Sequence, residues 1–205
     1  MKNIRLTVWI GIMCGWLAAG MLQAGTRPDN ARPAEEDGSR LWLPVMRPVE
    51  GAEVEVIYKG KVSPTIAVAI AELKNAWKGE PVLLEKKRTG QGDGFAITSS
   101  EHQVRILSST EAGLLYGVYS LLRMQAAGQV TVPLSVTEQS VYDLRILNHW
   151  DNPDGTVERG YAGCSLWNWE ELPGTLSPRY EAYARANASV GINGTVLNNV
   201  NASPQ

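Results

Sequence analysis

A single phenylalanine stands against seven tryptophans and seven tyrosines, so the aromatic side chains are almost all rings that carry a hydrogen-bonding edge. Cysteine is nearly as scarce. Cys14 lies in an apolar stretch near the start, which leaves Cys164 alone in the rest of the chain. One thiol excludes an internal disulfide, so stability has to come from packing. Positive charge is short as well: 19 Lys and Arg against 21 Asp and Glu, a formal net charge of −2, with no basic stripe. That balance argues against nucleic acid or an anionic membrane surface as a partner.

Acidic residues are missing altogether from Leu6 to Leu22, an apolar stretch preceded by Lys2 and Arg5 and followed by Gln23-Ala24. This is the layout of a signal peptide over residues 1–24, cleaved before Gly25. The rival is a membrane anchor, but the stretch is short of the ~20 residues a span needs. Its glycines and small-residue exit favour cleavage. A lipoprotein reading of Cys14 fails on Met13, which stands where a small residue is wanted. Losing Lys2 and Arg5 would take the net charge from −2 to −4.

Residues 25–40, rich in Pro, Asp, Glu and Arg, read as a disordered lead-in. An α+β domain is expected over 41–138. Glu53–Tyr58 alternates as a strand with one wet face. A helix follows, with Ser63 as N-cap, Pro64 in the first turn and Gly79 as the stop. Its Ile66, Ile70, Leu73 and Trp77 share one face. Strands are expected at Pro81–Glu85, Phe95–Thr98 and Gln103–Leu107, with the Thr89–Gly94 turn cluster between the first two. A second helix runs from Thr110 to Gly128, its stripe made of Leu114, Leu115, Val118, Leu121, Leu122 and Gln125.

A boundary is placed near Thr137–Ser140, and residues 141–205 read as one β-α-β unit. The expected parts are a strand at Tyr142–Trp150, a long connection, a helix from Pro178 to Val190 capped by Ser177 and stopped by Gly191, and a strand at Gly194–Asn199. Such a unit implies a right-handed parallel crossover. Tyr180, Tyr183, Ala184 and Asn187 share a helix face. The connection Asp151–Leu176 is far longer than the usual few residues, an excess associated with function. Both strands end in polar or aromatic residues, Asn148-His149-Trp150-Asp151 and Asn198-Asn199-Val200-Asn201, as strands do at the mouth of an α/β barrel.

Trp150 is the foremost candidate, because an exposed indole offers a flat apolar platform with a polar edge to a sugar ring. The alternative is that it plugs a core or an interface. His149 and Asp151 flank it and share the opposite face. They form either an acid–base pair or, the blander reading, a hydrogen-bonded histidine that orients the rim. Asp151–Gly155 superficially resembles a calcium loop, yet lacks the alternating ligands and closing Glu, so Asp154-Gly155 reads as a tight turn and no metal is assigned. Cys164 reads as a buried or inert thiol rather than a nucleophile with His149 as base. Trp167 and Trp169 either line a cleft or dock the long loop, with docking favoured. Asn187, Asn193 and Asn201 begin glycosylation-like triplets that read as chance matches. No cofactor is indicated.

Leu147–Asn152, Thr156–Gly163 and Tyr183–Val196, taken together, resemble the α-glucuronidases of glycoside hydrolase family 67. Gly113–Tyr119 also looks like a helix of that family's N-terminal domain, although Cys164 stands where relatives often carry a basic or polar residue. The resemblance implies an α+β N-terminal domain followed by a (β/α)8 TIM barrel, of which this chain would hold a truncated start. It implies hydrolysis, with inversion, of the bond between 4-O-methyl-glucuronic acid and xylo-oligosaccharides. Trp150 matches the indole that stacks on the uronic sugar, and Val200 matches an apolar group around its methyl ether, with Asn199 beside it in the substrate-binding set. The catalytic carboxylates would lie on later strands, so no catalytic residue is assigned here, and the chain alone is expected to be inactive and poorly ordered after about residue 140. A homodimer is possible for the complete enzyme. The alternative function is a non-catalytic carbohydrate-binding or scaffold domain without a barrel.

Overall fold

The computed structural model describes residues 53–197 apart from 89 and 91. The expected signal peptide and lead-in, and the candidates Asn199 and Val200, lie outside the described residues.

The first part is a five-stranded sheet with two helices. In chain order it comprises β1 (Val56–Tyr58), α1 (Pro64–Ala76), β2 (Val82–Lys86), β3 (Phe95–Ser99), β4 (Val104–Ser108), α2 (Glu111–Ala126) and β5 (Ser135–Glu138). The strands lie in the order β1-β2-β4-β3-β5. β1, β2 and β4 run parallel, while β3 is antiparallel to both of its neighbours. Period-two alternation then decides which side is dry. Val82, Leu84, Phe95, Ile97, Val104 and Ile106 are buried, whereas Leu83, Glu85, Arg105 and Leu107 between them are only half-covered.

Both helices seal that dry face. Ile66, Ala69 and Leu73 of α1 and Leu114, Val118, Leu121 and Leu122 of α2 are completely buried. Each large side chain so covered contributes roughly 1.5–3 kcal/mol of transfer free energy. Gly117 is a packing requirement: a Cβ there would sit 2.5 Å from Ile106 Cγ2. Ser63 caps α1 as the sequence predicts, its Oγ accepting from Ile66 N, and Thr110, the expected start of α2, is its cap, Oγ1 accepting from Gly113 N. Gln125, expected within the apolar stripe, has a different task. Its amide donates to Ala76 O at 2.7 Å and accepts from Lys78 N at 2.7 Å, so it serves the open end of α1.

Several elements differ from expectation, among them the strand expected over Gly194–Asn199, which ends at Val196, and the first helix, which ends at Ala76 and not at Gly79. β1 is confined to Val56–Tyr58, because only those residues pair with β2. The strand expected over Tyr142–Trp150 is limited to β6 (Ile146–Asn148), and Val141, Tyr142 and Leu144 are exposed. β5 was not foreseen, since Ser135–Glu138 is an edge strand of which only Val136 is partly covered.

Beyond β5 lie β6, α3 (Pro178–Ser189) and β7 (Gly194–Val196). β6 and β7 pair in parallel, Ile146 opposite Gly194 and Asn148 opposite Val196, as the β-α-β reading requires. Ser177 caps α3, and Gly191 follows it with φ 79°. Within the shared face, Tyr180 and Asn187 are buried, but Ala184 is exposed and Ala186 takes the buried position instead.

Polar contacts fasten this unit to the helix-backed sheet. Arg185 of α3 grips both oxygens of Glu72 on α1, and the Tyr119 hydroxyl of α2 donates to the same carboxylate at 3.1 Å. Burial, and then the neighbouring Glu72 charge, hold the Tyr119 hydroxyl neutral well above its usual range. Arg123 of α2 donates to Ser189 O. Arg145, just before β6, pairs with Asp93, donates from Nε to Gly191 O at 2.5 Å, and lies 5.6 Å from the Tyr116 ring centroid. One arginine thus ties the start of β6 to the end of α3 and to the turn before β3.

Candidate functional site

The end of β6 decides where the candidate side chains go. His149 N donates to Val196 O at 2.9 Å, which continues the parallel ladder for one residue beyond the strand. His149 therefore turns towards α3, and the next residue turns away. Trp150 is left with 46% of its surface exposed, so it plugs no core within the described residues.

Under that indole the backbone is held from both sides. Asp151 is 3% exposed and accepts from Ser165 Oγ at 2.5 Å. Trp150 O accepts from Glu158 N at 2.7 Å. Glu158 has φ 57°, a left-handed conformation that costs a non-glycine residue about 1–2 kcal/mol. Asn152 supports the bend by donating from Nδ2 to Thr156 Oγ1 at 2.8 Å and to Glu158 O at 2.7 Å.

The imidazole of His149 is oriented through both nitrogens. Nε2 lies 2.5 Å from the Tyr183 hydroxyl, and Nδ1 lies 3.4 Å from Asp151 Oδ1. The ring also meets Trp167 edge-on, centroids 5.4 Å apart. Trp167 is 6% exposed and packs on Tyr180 and Tyr183 at 5.2 and 5.3 Å. The Tyr180 hydroxyl accepts from Asn168 N at 2.8 Å and donates to Glu171 Oε2 at 3.2 Å, clamping the long connection onto α3. Trp167 thus docks the loop, the reading favoured from its sequence.

Several expectations are settled by these contacts. His149 and Asp151 do share one face and Trp150 takes the other. Asp154-Gly155 is a turn: Gly155 N donates to Asn152 O at 3.0 Å, Gly155 has φ 82°, and Asp154 Oδ1 accepts from Thr156 Oγ1 at 2.6 Å. Asn187 is 4% exposed, so its glycosylation-like triplet lies in packed structure. One expectation is corrected. Of the buried or inert thiol expected at Cys164 the burial fails: Cys164 is exposed, in a short antiparallel bridge with Thr156.

Of the three sugar-binding candidates Trp150 falls among the described residues, and Asn199 and Val200 lie outside them. Sequence reasoning did not single out Ser165 or the Tyr183 hydroxyl as partners of the rim. Their signal was weak. Tyr183 was recognised only as a member of a helix face, and Ser165 as one polar residue within a long connection.

Residues 124–205 match the family model described as the glycosyl hydrolase family 67 middle domain. The "Probable alpha-glucuronidase A" of Aspergillus clavatus is 41% identical over 112 residues, which are 54% of this chain and 13% of that protein. The protein of the same name from Neosartorya fischeri is 44% identical over 112 residues, with the same shares. "Alpha-glucuronidase A" of Aspergillus tubingensis is 40% identical over 111 residues, again 54% of this chain and 13% of the relative. The chain therefore spans about an eighth of the length of these relatives. Among solved structures, a GH138 enzyme targeting pectin rhamnogalacturonan II is matched with TM-score 0.41 and 17% identity, covering 52% of this chain and 14% of that one, a likeness too slight to carry an argument.

Proposed function

From the match of residues 124–205 to the glycosyl hydrolase family 67 middle-domain model, we propose that this chain supplies the opening part of an α-glucuronidase that acts in xylan breakdown. Residues 41–138 form its α+β domain, and residues 141–205 form the first β-α-β unit of a (β/α)8 barrel. The parallel pairing of β6 with β7 supports that unit, since parallel neighbours joined by a helix are the repeating element of such barrels. Residues 1–24 direct export, to the periplasm or outside the cell.

The observation that carries the reading is the outward Trp150 indole on an anchored backbone. A flat ring fixed at the end of a barrel strand binds the apolar face of 4-O-methyl-glucuronic acid, and the family likeness adds Val200 and Asn199, outside the described residues, to the same substrate-binding set. Holding the uronic sugar is the part of the reaction assigned to these residues. In an inverting glycosidase one carboxylic acid protonates the leaving oxygen while a carboxylate activates water from the opposite face, the two standing ~6.5–9.5 Å apart. Both belong to later strands of the same architecture, so this chain's contribution is binding and orientation. The substrates are xylo-oligosaccharides bearing glucuronic acid. No cofactor takes part.

Titration of the chain with glucuronic acid, followed by tryptophan fluorescence, tests the reading. A saturable change lost in Trp150→Ala is the expected result, and an unchanged response in that variant would sink it. The chain alone is expected to release no 4-O-methyl-glucuronic acid from substituted xylo-oligosaccharides.

A further inference from the structure

We propose that His149 is a positioning residue for the Trp150 platform: its imidazole, bridging Tyr183 on α3 and Asp151 beside the indole, fixes the angle at which Trp150 is presented. The inference rests on the sugar-stacking role proposed for Trp150 and adds to it the device that holds the ring in place.

A side chain at the end of a three-residue strand has little to restrain it. Past Asn148 there is one further ladder bond, His149 N to Val196 O, and the chain then leaves the sheet. Two anchors limit the freedom of residue 150 after that. One is the Glu158 N to Trp150 O bond. The other is the Tyr183–His149–Asp151 line, in which Asp151 is held in turn by Ser165. Ser165 Oγ also accepts from Trp167 N at 2.9 Å, and Trp167 closes the circuit by packing on the imidazole edge-on. Residues on both sides of Trp150 are thereby tied to α3 and to the docked loop. Only the indole projects free of that network.

The imidazole is suited to this because it has two polar edges and lies between two different elements. The Tyr183 hydroxyl can donate to a bare ring nitrogen or accept from a protonated one, so its contact persists in either state. Asp151 Oδ1 lies 3.4 Å from the other nitrogen. An apolar ring of the same size would pack against Trp167 and leave both the hydroxyl and the buried carboxylate a partner short.

The test uses the whole chain labelled with 5-fluorotryptophan, the Trp150 fluorine signal being identified by its loss in Trp150→Phe. Glucuronic acid is the probe. In the unaltered chain a narrow Trp150 line shifts on titration. Tyr183→Phe removes one hydroxyl from an otherwise similar ring, and His149→Ala removes the bridge. Both are expected to broaden the Trp150 line before any sugar is added and to weaken binding about tenfold, the worth of one hydrogen bond. His149→Gln keeps a polar group near the Nε2 position and should restore part of both effects. If Tyr183→Phe and His149→Ala leave the Trp150 line and the affinity unchanged while melting at a lower temperature, the network is merely structural and the positioning role is overturned. In that event a loss of binding in Trp150→Ala would still uphold the stacking reading. Binding unaffected by Trp150→Ala would remove both.

Discussion

The helix-backed sheet and the β6-α3-β7 unit are stabilised in different ways. Over residues 56–138 the interior is apolar and closed, with Val82, Ile97 and Ile106 of the sheet and Leu73, Leu121 and Leu122 of the helices completely buried. In the second unit the strands have three residues each, and Ile146 and Val196 are 43% and 38% exposed. Ala186 of α3 reaches the shared apolar core, and its other attachments are polar: Arg185 on Glu72, Arg123 on Ser189 O, Arg145 on Asp93 and Gly191 O. A closed apolar core depends on summed area and tolerates displacement of any one polar group. A docked unit depends on a few directional contacts, each of which is a large share of the total.

The largest effect should come from cutting into the closed core. Leu122→Ala is expected to destabilise the sheet-and-helix part by about 2–5 kcal/mol, because its neighbours across the sheet cannot collapse fully into the space. Denaturant unfolding measures it. A loss below ~1 kcal/mol would show that α2 is not seated as described and would erase the contrast.

Next in size is Arg185→Ala, which leaves the Glu72 carboxylate 6% exposed without its guanidinium. Breaking a buried pair costs about 3–5 kcal/mol, and the 35% exposure of Arg185 reduces that to roughly 2. The distribution matters more than the size. Hydrogen exchange should rise across α3, β6 and β7 and remain low in β2, β3 and β4. An even rise throughout would mean that the two regions unfold as one. Replacing Glu72 and Arg185 together by Gln and Met should recover much of the loss, since no buried charge is then stranded.

The caps sharpen the comparison further. Thr110 Oγ1 and Ser177 Oγ hold the first turns of α2 and α3 at 3.0 and 3.4 Å. Thr110→Ala should cost ~1 kcal/mol of stability in the first region. Ser177→Ala, with the longer contact, should cost less, and its effect should appear in exchange at α3 alone.

The closed region was the legible one. Ser63, Pro64, Thr110 and Gly128 mark the ends of two helices whose apolar spacing is regular, and local rules suffice to read them. Phe95–Ser99 and Val104–Ser108 alternate cleanly because only one side is dry. The docked region was read well where local chemistry governs it, at the Ser177 cap, the Gly191 stop and the Asp154-Gly155 turn. It was misread where partners lie far away. Tyr142–Ile146 alternates apolar and charged residues like a strand, but pairing with β7 begins only at Ile146. Glu72 and Arg185 are 113 positions apart, and neither belongs to a pattern that announces the other. Trp150 and Trp167 are both tryptophans in polar company, and only the contact with Tyr180 and Tyr183 separates the exposed one from the buried one.

The smallest effect expected concerns a polar contact inside the apolar region. Glu111, in the first turn of α2, accepts from Lys86 Nζ at 2.7 Å and from Ser63 Oγ at 2.5 Å, and Ser63 is itself the cap of α1. The Lys86 ammonium first, and then the Ser63 hydroxyl, hold the Glu111 carboxyl below the usual carboxylate range. A carboxyl depressed on folding lends its stability above its unfolded value and loses it as the pH falls through the folded one. Lys86, raised mainly by its hydrogen bond to Glu111, has the opposite sign: its share is present below the unfolded lysine value and is lost as the pH rises through the folded one. Melting temperatures of the chain and of Glu111→Gln should therefore converge as the solution is acidified below the ordinary carboxylate value. Because the contact is partly exposed, the difference between them should also shrink with added salt. Parallel curves across the whole acid range would place the acid sensitivity of this region elsewhere. A steep collapse on acidification would mean that the sheet-and-helix part leans on its charges as the docked unit does, and the contrast between the two regions would fail on the side where it is strongest.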